Sequence, residues 1–273
     1  MIQKRVALVT GVSSGIGRET ATLLLDRGFR TFGTIRETSR ASQLPSGLEL
    51  IRLDVSDEES VRSCAQTVLD QAGRIDALVN NAGYALVGSL EETSIEEARR
   101  MFETNFFGVL RTCQAVLPIM REQRFGRIAN LSSVLGFLPA PYMGIYAASK
   151  HALEGYSESL DHEVRQFGIR VLVIEPGFTR TNLGQSSQLA SQPLAAYTGE
   201  RHRALDAIRE GIAKGDDPSR VAAVVVNALT THRPRLRYQA GRGAKFLRWL
   251  RRLAPARLLD KGLRKQFGLE IEF

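Results

Sequence analysis

Short apolar runs alternate with longer amphipathic segments through the first 180 residues of the chain. Several runs are almost uninterrupted Val, Ile, Leu and Ala, a pattern typical of strands that are covered by helices on both faces. The segments between them repeat their apolar positions at helical spacing. The order strand, helix, strand predicts an α/β fold with a doubly wound parallel sheet. About seven strands are predicted, over residues 5–11, 30–36, 48–55, 76–83, 126–133, 168–177 and 235–241.

The 273-residue chain shows no internal repeat, no low-complexity tract and no interdomain linker. We therefore predict one domain over residues 1–240. Its most loop-like stretch is 183–200, which is rich in Ser, Gln and Ala. This stretch begins the region of about 183–215 that is expected to border a substrate. Residues 241–273 are predicted to form a basic, amphipathic helical extension packed on that domain.

The net charge of +8 is unevenly distributed along the chain. Residues 1–231 carry 25 basic and 26 acidic residues, whereas residues 232–273 carry 12 basic and 3 acidic ones. The basic character therefore belongs to the tail and not to the body. No nucleic-acid partner is expected, because the tail lacks the regularly interleaved aromatic side chains that stack on single strands.

Cysteine usage and hydropathy indicate the compartment. Cys64 and Cys113 are the two cysteines, and they form no CxxC motif or Cys/His cluster, so a disulfide framework or zinc site is not expected. The first apolar stretch is too short for a secretory signal. No run approaches the length of a membrane span. A cytoplasmic protein without a metal is predicted.

A glycine-rich turn follows the first predicted strand, in 10-TGVSSGIG-17. Gly11 can adopt backbone angles that a side chain would forbid, and Gly15 allows the chain to approach a ligand closely. Gly17 would permit a helix to pack tightly on the sheet. A pyrophosphate would then meet the N–H groups and the positive dipole end of the following helix. The alternative is a turn whose glycines serve packing alone.

Five motifs in order resemble the short-chain dehydrogenase/reductase family. The Thr-Gly-x3-Gly-x-Gly turn is followed by 80-NNAG-83, by an asparagine in a central helix, by a serine thirteen residues before Tyr-x3-Lys, and by 176-PG-177. The likeness implies a Rossmann-type fold and reduction or oxidation with a nicotinamide cofactor. The chain looks most similar to the 17β-hydroxysteroid and retinol dehydrogenase branch. The resemblance assigns catalysis to Asn105, Ser133, Tyr146 and Lys150.

Each of these residues has a chemical role in the family pattern. A tyrosine with a pKa near ~10 is a weak acid–base catalyst at neutral pH, and a lysine one helical turn away lowers that pKa by stabilising phenolate. Tyr146 is thus expected to move the proton, with Lys150 also holding the nicotinamide ribose. Ser133 is expected to polarise the substrate oxygen, and Asn105 to hold a relay water. Alternatively, Ser133 ends a strand, Asn105 bends a helix, or Tyr142 competes with Tyr146.

The second predicted strand indicates which nicotinamide cofactor is used. Ile35 stands where an acidic residue would accept hydrogen bonds from the adenosine ribose of NAD, and Arg36 follows it. A guanidinium there favours the 2′-phosphate of NADP, with Ser13 and Arg40 as further donors. Asp54 is expected to contact adenine or else to cap a helix. The resemblance assigns the cofactor to Gly11, Ser13, Ser14, Gly15, Ile16, Gly17, Arg36, Asp54, Val55, Asn81, Ala82, Gly83, Tyr146, Lys150, Pro176, Gly177, Thr179 and Thr181.

The segments that would border the reaction centre are apolar, which predicts a hydrophobic small-molecule substrate. The resemblance suggests a steroid, retinoid or lipid-like alcohol or carbonyl compound, and the alternatives are a 3-oxoacyl-type reductase or a catalytically silent nucleotide-binding regulator. The residues expected to contact substrate are Leu135, Tyr142, Phe178 and Leu183. A homodimer or homotetramer is expected through helices around 94–121 and 144–167.

The tail places Phe246, Leu247, Trp249, Leu250 and Leu253 among basic residues at helical spacing. Such a helix packs over a pocket, joins subunits or lies on a membrane surface. We favour packing and keep peripheral membrane contact through residues 244–267 as the alternative. Pro255 is expected to divide the tail into two helices.

Overall fold

The protein is described by a computed structural model over residues 4–36, 44–181 and 188–269. Seven strands form one parallel sheet in the order β3-β2-β1-β4-β6-β7-β9, which confirms the predicted fold class. Two further short strands, β5 and β8, pair with each other outside it. The strands are β1 Val6–Val9, β2 Arg30–Ile35, β3 Glu49–Arg52, β4 Ala77–Asn80, β5 Leu86–Val87, β6 Gly126–Leu131, β7 Ile169–Pro176, β8 Gln188–Leu189 and β9 Arg237–Ala240.

Nine helices flank or extend this sheet within the described ranges. They are α1 Gly15–Asp26, α2 Glu58–Ala72, α3 Ile95–Phe102, α4 Gly108–Gln123, α5 Gly144–Val164, α6 Thr198–Ala213, α7 Pro218–Thr230, α8 Ala244–Leu253 and α9 Ala256–Gln266. Side chains of α2, α4 and α5 form a core on one face of the sheet, and those of α1 and α7 form a core on the other. The central strands β1 and β4 are buried along their whole length, which explains their unbroken apolar sequences.

Strand β1 lies between β2 and β4. The chain builds β2 and β3 on one side of β1 and then crosses to β4 on the other side, so the strand order reverses between β1 and β4. Ligands of open α/β sheets bind in the crevice at such a switch point, beyond the carboxyl ends of the strands. The glycine turn follows β1, and the Asn-Asn-Ala-Gly segment begins in the last residue of β4. The fold therefore brings two of the sequence motifs to the same crevice.

The helix predicted over residues 94–122 differs from the simple one expected. Its α-helical parts α3 and α4 are separated by a π-helical segment, Glu103–Phe107. Such a widened turn is rare and often occurs at functional sites. The Ser94 hydroxyl and the Glu97 carboxylate form a capping box at the start of α3, as the Ser-x-x-Glu spacing favours.

The described part of the predicted substrate-loop region, residues 188–215, contains more helix than predicted. Residues 198–213 form α6, and Tyr197 precedes it in a short 3-10 turn, Ala195–Tyr197. Apolar residues Ala204, Leu205 and Ile208 of α6 are buried, at helical spacing that Ser- and Gln-rich flanking sequence obscures. Leu183 and Arg40, which were predicted to contact substrate and cofactor, lie outside the described residues.

Candidate active site

The carboxyl ends of β1, β4, β6 and β7 border a cavity of about 1350 Å³. Typical ligand pockets occupy roughly 300–1,000 Å³, so this cavity has room for a dinucleotide together with a substrate. Of the predicted site residues that the structure describes, all but Gly17, Asn105 and Tyr142 line it. The fold therefore brings together side chains that are up to 170 positions apart in the sequence.

The glycine turn has the conformation that its sequence predicts. Gly11 and Gly15 have φ values of 73° and 59°, in the left-handed region that favours glycine. A Cβ at Gly17 would lie 2.3 Å from the Gly11 carbonyl oxygen and 2.4 Å from Asn81 Nδ2. Gly17 thus lies behind the turn and allows α1 to approach it, while Gly11 and Gly15 face the cavity.

Asn81 and Thr10 hold this turn against the end of β4. The Asn81 amide donates to the carbonyl oxygens of Thr10 at 3.0 Å and Gly11 at 2.9 Å. The Thr10 hydroxyl accepts from the backbone N–H groups of Asn81 and Ala82, each at 3.0 Å. Ser14, the N-cap of α1, uses no side-chain oxygen to cap the helix. The first N–H groups of α1 can therefore bind an anion in the cavity.

The loop after β7 closes over the same turn. A Cβ at Gly15 would lie 3.1 Å from Thr181 Cγ2, so the two segments nearly touch. Thr179 is buried, and its hydroxyl donates to the Gly177 carbonyl oxygen at 3.0 Å. This loop and the glycine turn form two walls of one end of the cavity.

Arg36 and Asp54, which the resemblance assigns to the adenosine of a cofactor, line the cavity near the ends of β2 and β3. Ile35 is buried at the end of β2, whereas Arg36 is exposed. The Asp54 carboxylate accepts from the Ser56 hydroxyl at 2.6 Å, a bond that lowers its pKa. The cap of α2 is Asp57, whose carboxylate accepts from Glu59 N at 2.9 Å, so Asp54 is not the helix cap.

Tyr146 and Ser133 face each other at the other end of the cavity. Ser133 has an extended backbone, and its hydroxyl accepts from Leu135 N at 3.1 Å. Tyr146 is buried at the start of α5. Burial raises the pKa of Tyr146 to about 12, and a hydrogen bond with Ser133 acts in the opposite direction. The phenol is therefore protonated at neutral pH in this structure.

Lys150 lies one turn further along α5 and is also buried. Its Nζ donates to the Leu131 carbonyl oxygen at 2.7 Å and lies 5.6 Å from the centroid of the Tyr146 ring. Burial lowers the pKa of Lys150 to about 8, and the Glu154 carboxylate opposes that shift. Burial and the Ser133 hydrogen bond are the causes of the shift in the Tyr146 pKa, and the expected lowering of that pKa by Lys150 stays a prediction.

Asn105 occupies the π-helical segment and is buried. Its Oδ1 accepts from Tyr84 N at 3.1 Å, and its Nδ2 donates to the Tyr84 carbonyl oxygen at 2.9 Å. A Cβ at Gly83 would lie 2.9 Å from Asn105 Oδ1. Asn105 thus holds the backbone of Tyr84, directly after Asn-Asn-Ala-Gly, and does not itself line the cavity.

Tyr142 points away from the predicted substrate position. Its hydroxyl donates to Glu200 Oε2 of α6 at 3.3 Å, and its φ of 60° is rare for a bulky residue. The side chain therefore links the loop before α5 to α6. This orientation leaves Tyr146 as the tyrosine in the cavity wall beside Ser133.

The substrate end of the cavity is apolar, and the sequence revealed only part of it. Leu135 and Phe178 line it as predicted. Sequence reasoning missed the wall that α6 contributes, although helical spacing of its apolar residues could have indicated it. The tail helices α8 and α9, for which packing over a pocket was the favoured interpretation, also contribute lining residues. The further apolar lining residues are Leu138, Pro139, Met143, Ala207, Ile208, Ile212, Leu247, Leu263 and Phe267.

A buried ionic cluster behind Lys150 was also missed. Arg237 donates to Glu154 at 3.0 Å and lies 3.6 Å from Glu175. Glu175 in turn accepts from Arg248 of α8 at 2.9 Å. Both carboxylates are buried. The Lys-x3-Glu spacing of Lys150 and Glu154 was the available signal, since residues four apart share a helix face.

The chain matches known proteins over most of its length. The family described as short chain dehydrogenase matches residues 5–192. A 3-ketodihydrosphingosine reductase of Bacteroides thetaiotaomicron is 37% identical over 243 residues, covering 88% of this chain and 89% of that protein. Retinol dehydrogenase 8 of Homo sapiens is 35% identical over 255 residues, covering 86% of this chain and 81% of that protein.

Solved structures share the fold. A short-chain dehydrogenase from Streptomyces avermitilis superposes with a TM-score of 0.82 at 36% identity, covering 99% of this chain and 100% of that chain. A short-chain dehydrogenase/reductase from Burkholderia phymatum in complex with NAD gives 0.79 at 26% identity, covering 91% and 94%. A metagenomic short-chain oxidoreductase in complex with NADP gives 0.69 at 26% identity, covering 86% and 96%. The chain belongs to the short-chain dehydrogenase/reductase family and is an oxidoreductase that acts on alcohol- or ketone-type substrates with a nicotinamide cofactor.

Proposed function

We propose that the protein is an NADP(H)-dependent oxidoreductase that interconverts a hydrophobic secondary alcohol and its ketone, or an aldehyde. The main support is that Tyr146 and Ser133 line the same cavity as the glycine turn, at the border between the polar and apolar ends of that cavity. A carbonyl oxygen placed there would meet an acid and a hydrogen-bond donor. The apolar remainder of such a substrate would extend towards α6 and α9.

The residues present fit a dinucleotide. Gly11 and Gly15 allow backbone approach, and the uncapped N-terminus of α1 can bind the pyrophosphate. Arg36 supports a preference for NADP over NAD, because a guanidinium binds a 2′-phosphate with charge-assisted hydrogen bonds and Ile35 offers no carboxylate to a ribose hydroxyl. Structures of relatives contain NAD as well as NADP, so the preference rests on these two residues.

When bound, the cofactor supplies the hydride that reduces the carbonyl carbon or accepts it in the reverse direction. The Tyr146 hydroxyl gives its proton to the carbonyl oxygen, and the Ser133 hydroxyl donates a hydrogen bond to that oxygen. Lys150 is positioned to stabilise the resulting phenolate and to bind a ribose hydroxyl. Asn105 holds the π-helical segment and the Tyr84 backbone in place behind these groups.

The upward shift of the Tyr146 pKa implies different pH dependences for the two directions of the reaction. A phenol with a pKa of about 12 is protonated and can donate, whereas oxidation of an alcohol needs the phenolate as base. Alcohol oxidation should therefore accelerate as the pH rises above neutrality. Carbonyl reduction should not require an alkaline medium.

The apolar lining supports a lipid-like substrate. Retinol and 3-ketodihydrosphingosine, which appear in the names of two relatives, both contain long apolar chains. The cavity offers a wall of Leu, Ile, Met and Phe side chains to such a chain. A steroid, retinoid or long-chain lipid carbonyl compound is the proposed substrate class.

The test is NADPH consumption with a panel of apolar and polar ketones. Tyr146→Phe should lose roughly 100-fold or more in kcat, because a positioned acid contributes about 10²–10⁴-fold. Tyr142→Phe is the matched control and should retain activity, since its hydroxyl binds Glu200 outside the cavity. NADPH binding is measured in parallel for both variants. Full activity of Tyr146→Phe with unchanged NADPH binding would disprove the assignment.

We further propose a cytoplasmic homodimer or homotetramer in which residues 241–273 pack on the domain over 1–240. Ile95 of α3 and Phe107 at the end of the π-helical segment are exposed hydrophobic side chains on the surface expected to join subunits. Light scattering of the intact chain tests the assembly, and a monomer at micromolar concentration would contradict it. Peripheral membrane contact through residues 244–267 is part of the same proposal.

A further inference from the structure

Helices α8 and α9 carry apolar side chains on two opposite faces. On the inner face, Leu247, Leu263 and Phe267 line the substrate cavity. On the outer face of α8, Phe246 and Trp249 are 60% and 58% exposed, and their rings stack with centroids 6.3 Å apart. An ordinary surface helix has one apolar face, towards the core. The outer apolar face therefore has no packing role in the described structure.

Exposed apolar side chains occur on both sides of the break at Pro255. Leu253, one turn after Trp249, is 58% exposed, and Leu258 at the start of α9 is 64% exposed. Phe246, Trp249 and Leu253 recur at spacings of three and four residues, which places them on one side of α8. Four large apolar side chains with more than half of their surface exposed form a patch of the kind that marks an interaction surface.

Positive charge surrounds this patch. Residues 244–267 contain eight basic residues and one acidic residue, Asp260. Six of the basic residues are exposed and form no ion pair with any described carboxylate: Lys245, Arg251, Arg252, Arg257, Lys261 and Lys265. Arg248, in contrast, is turned inward to Glu175 and lies 4.8 Å above the Phe137 ring. The cations are thus available to an external anionic partner.

This combination fits a bilayer better than a second copy of the chain. A symmetric dimer through the patch would bring two surfaces of net charge +7 together, which electrostatic repulsion opposes. Aromatic and leucine side chains among lysines and arginines are the composition of helices that lie in the interface of anionic membranes. None of the described helices combines the length and the apolar composition needed to cross a membrane.

We infer that the outer face of α8 and α9 docks on an anionic lipid bilayer and that a lipophilic substrate enters the cavity from that bilayer between these helices. The second half of the inference rests on the proposed function. The distance supports it: Leu247 lines the cavity and Phe246 faces outward on the same helix, and a helix with its side chains is about 10–12 Å across. Docking would therefore place the acyl region within one helix diameter of the apolar cavity.

Trp249 is the sole tryptophan of the chain, so its emission reports on this face alone. Intact protein is mixed with vesicles of phosphatidylcholine, with and without phosphatidylglycerol. We expect a blue shift and quenching by lipids brominated in their acyl chains with the anionic vesicles, both reversed by high salt. Each lysine or arginine near an anionic surface contributes about fivefold to the partition coefficient, so neutral vesicles should bind far more weakly.

The double variant Phe246→Ser/Leu253→Ser keeps the reporter and removes two anchors. We expect its partition coefficient to fall by about tenfold or more, because each apolar side chain withdrawn from water contributes substantially. Leu90→Ser is the matched control, since Leu90 is 64% exposed and lies outside the tail and the cavity lining. It should bind vesicles like the unaltered protein.

Activity separates the inference from the proposed function. The double variant should lose at least about tenfold in rate with a long-chain ketone held in anionic vesicles and keep its rate with a short, water-soluble ketone. Trp249 emission that stays unchanged with anionic vesicles would overturn the inference. A shift in emission that depends on protein concentration in the absence of lipid would also overturn it, because that shift would indicate association with a second copy of the chain. Unaltered membrane binding by the double variant would do the same. Failure on the soluble ketone would instead count against the proposed function.

Discussion

Gly17 offers a test of how the glycine turn holds a dinucleotide. It lies in the first turn of α1, and a Cβ there would be 2.3 Å from the Gly11 carbonyl oxygen and 2.4 Å from Asn81 Nδ2. Neither atom can move freely, since the Asn81 amide bridges the Thr10 and Gly11 carbonyl oxygens. Ordinary contacts between carbon and oxygen are about 3.3–3.6 Å. Gly17→Ala therefore requires a shift of roughly 1 Å in the turn that faces the cavity.

Two opposing effects determine the change in stability. Alanine gains about 0.5–1 kcal/mol over glycine inside a helix. Overpacking a close contact costs about 1–3 kcal/mol. The net effect is a loss of up to roughly 2 kcal/mol in the free energy of unfolding. If the displaced turn loses one hydrogen bond to a charged phosphate, worth about 1.5–3 kcal/mol, the Kd for NADPH rises by about 10- to 150-fold.

The assay pairs NADPH titration by calorimetry with thermal unfolding, and Gly262→Ala is the control. A Cβ at Gly262, in the middle of α9, meets no atom within 4 Å, so this variant has the helix gain without the clash. Its Tm should rise by a few degrees at most, with an unchanged Kd. Gly17→Ala with an unchanged Kd for NADPH would refute the role given to the turn.

Three further predictions concern charged groups. Arg36→Asp should lower kcat/KM for NADPH by about 10- to 100-fold and leave kcat/KM for NADH nearly unchanged. Equal kcat/KM values of the unaltered protein for the two cofactors would contradict the proposed preference for NADP. The Glu154 carboxylate raises the Lys150 pKa, so Glu154→Gln should lower that pKa from about 8. Any alkaline limb of the pH–rate profile should then move to lower pH. Glu154→Asp keeps the charge and should leave the profile unchanged. Asp161→Asn should destabilise the fold by roughly 3–5 kcal/mol, since it removes the charge of a buried carboxylate bound by Arg170. Burial opposes ionisation of Asp161, but its hydrogen bonds lower its pKa below the unfolded value. The contribution of Asp161 to the free energy of unfolding is therefore complete above about pH 4 and is lost as the pH falls. Acid unfolding of Asp161→Asn and of the unaltered protein would measure this difference.

The sheet could be predicted from the sequence because the apolar runs and the order of strands and helices indicate the same fold. The buried strands β1, β4 and β7 read as continuous apolar runs, and each predicted strand of the sheet is present. The α6 helix was not predicted, because its buried residues are few and its flanks are rich in Ser and Gln. The π-helical segment was beyond sequence reasoning, since the extra residue per turn is stabilised by tertiary contacts such as those of Asn105 with Tyr84.

The candidate site likewise has features that the sequence indicates and features that it does not. The glycine turn, Ser133, Tyr146 and Lys150, which motif spacing singled out, line one cavity. The pKa of Tyr146 could not be predicted, because a four-residue spacing reveals proximity and not burial. Here burial dominates the pKa of Tyr146, and Lys150 donates to the Leu131 carbonyl while its Nζ lies 5.6 Å from the centre of the Tyr146 ring.

The tail shows why two interpretations of one amphipathic sequence need not exclude each other. Packing over the pocket and contact with a membrane were alternatives as long as each helix was assumed to have a single apolar face. In the structure Leu247 faces the cavity while Phe246 and Trp249 face outward. Arg248 decides the orientation, because its ion pair with the buried Glu175 fixes which side of α8 turns inward. Loss of that pair should let α8 rotate, so Arg248→Met should impair turnover of apolar ketones even in the absence of membranes.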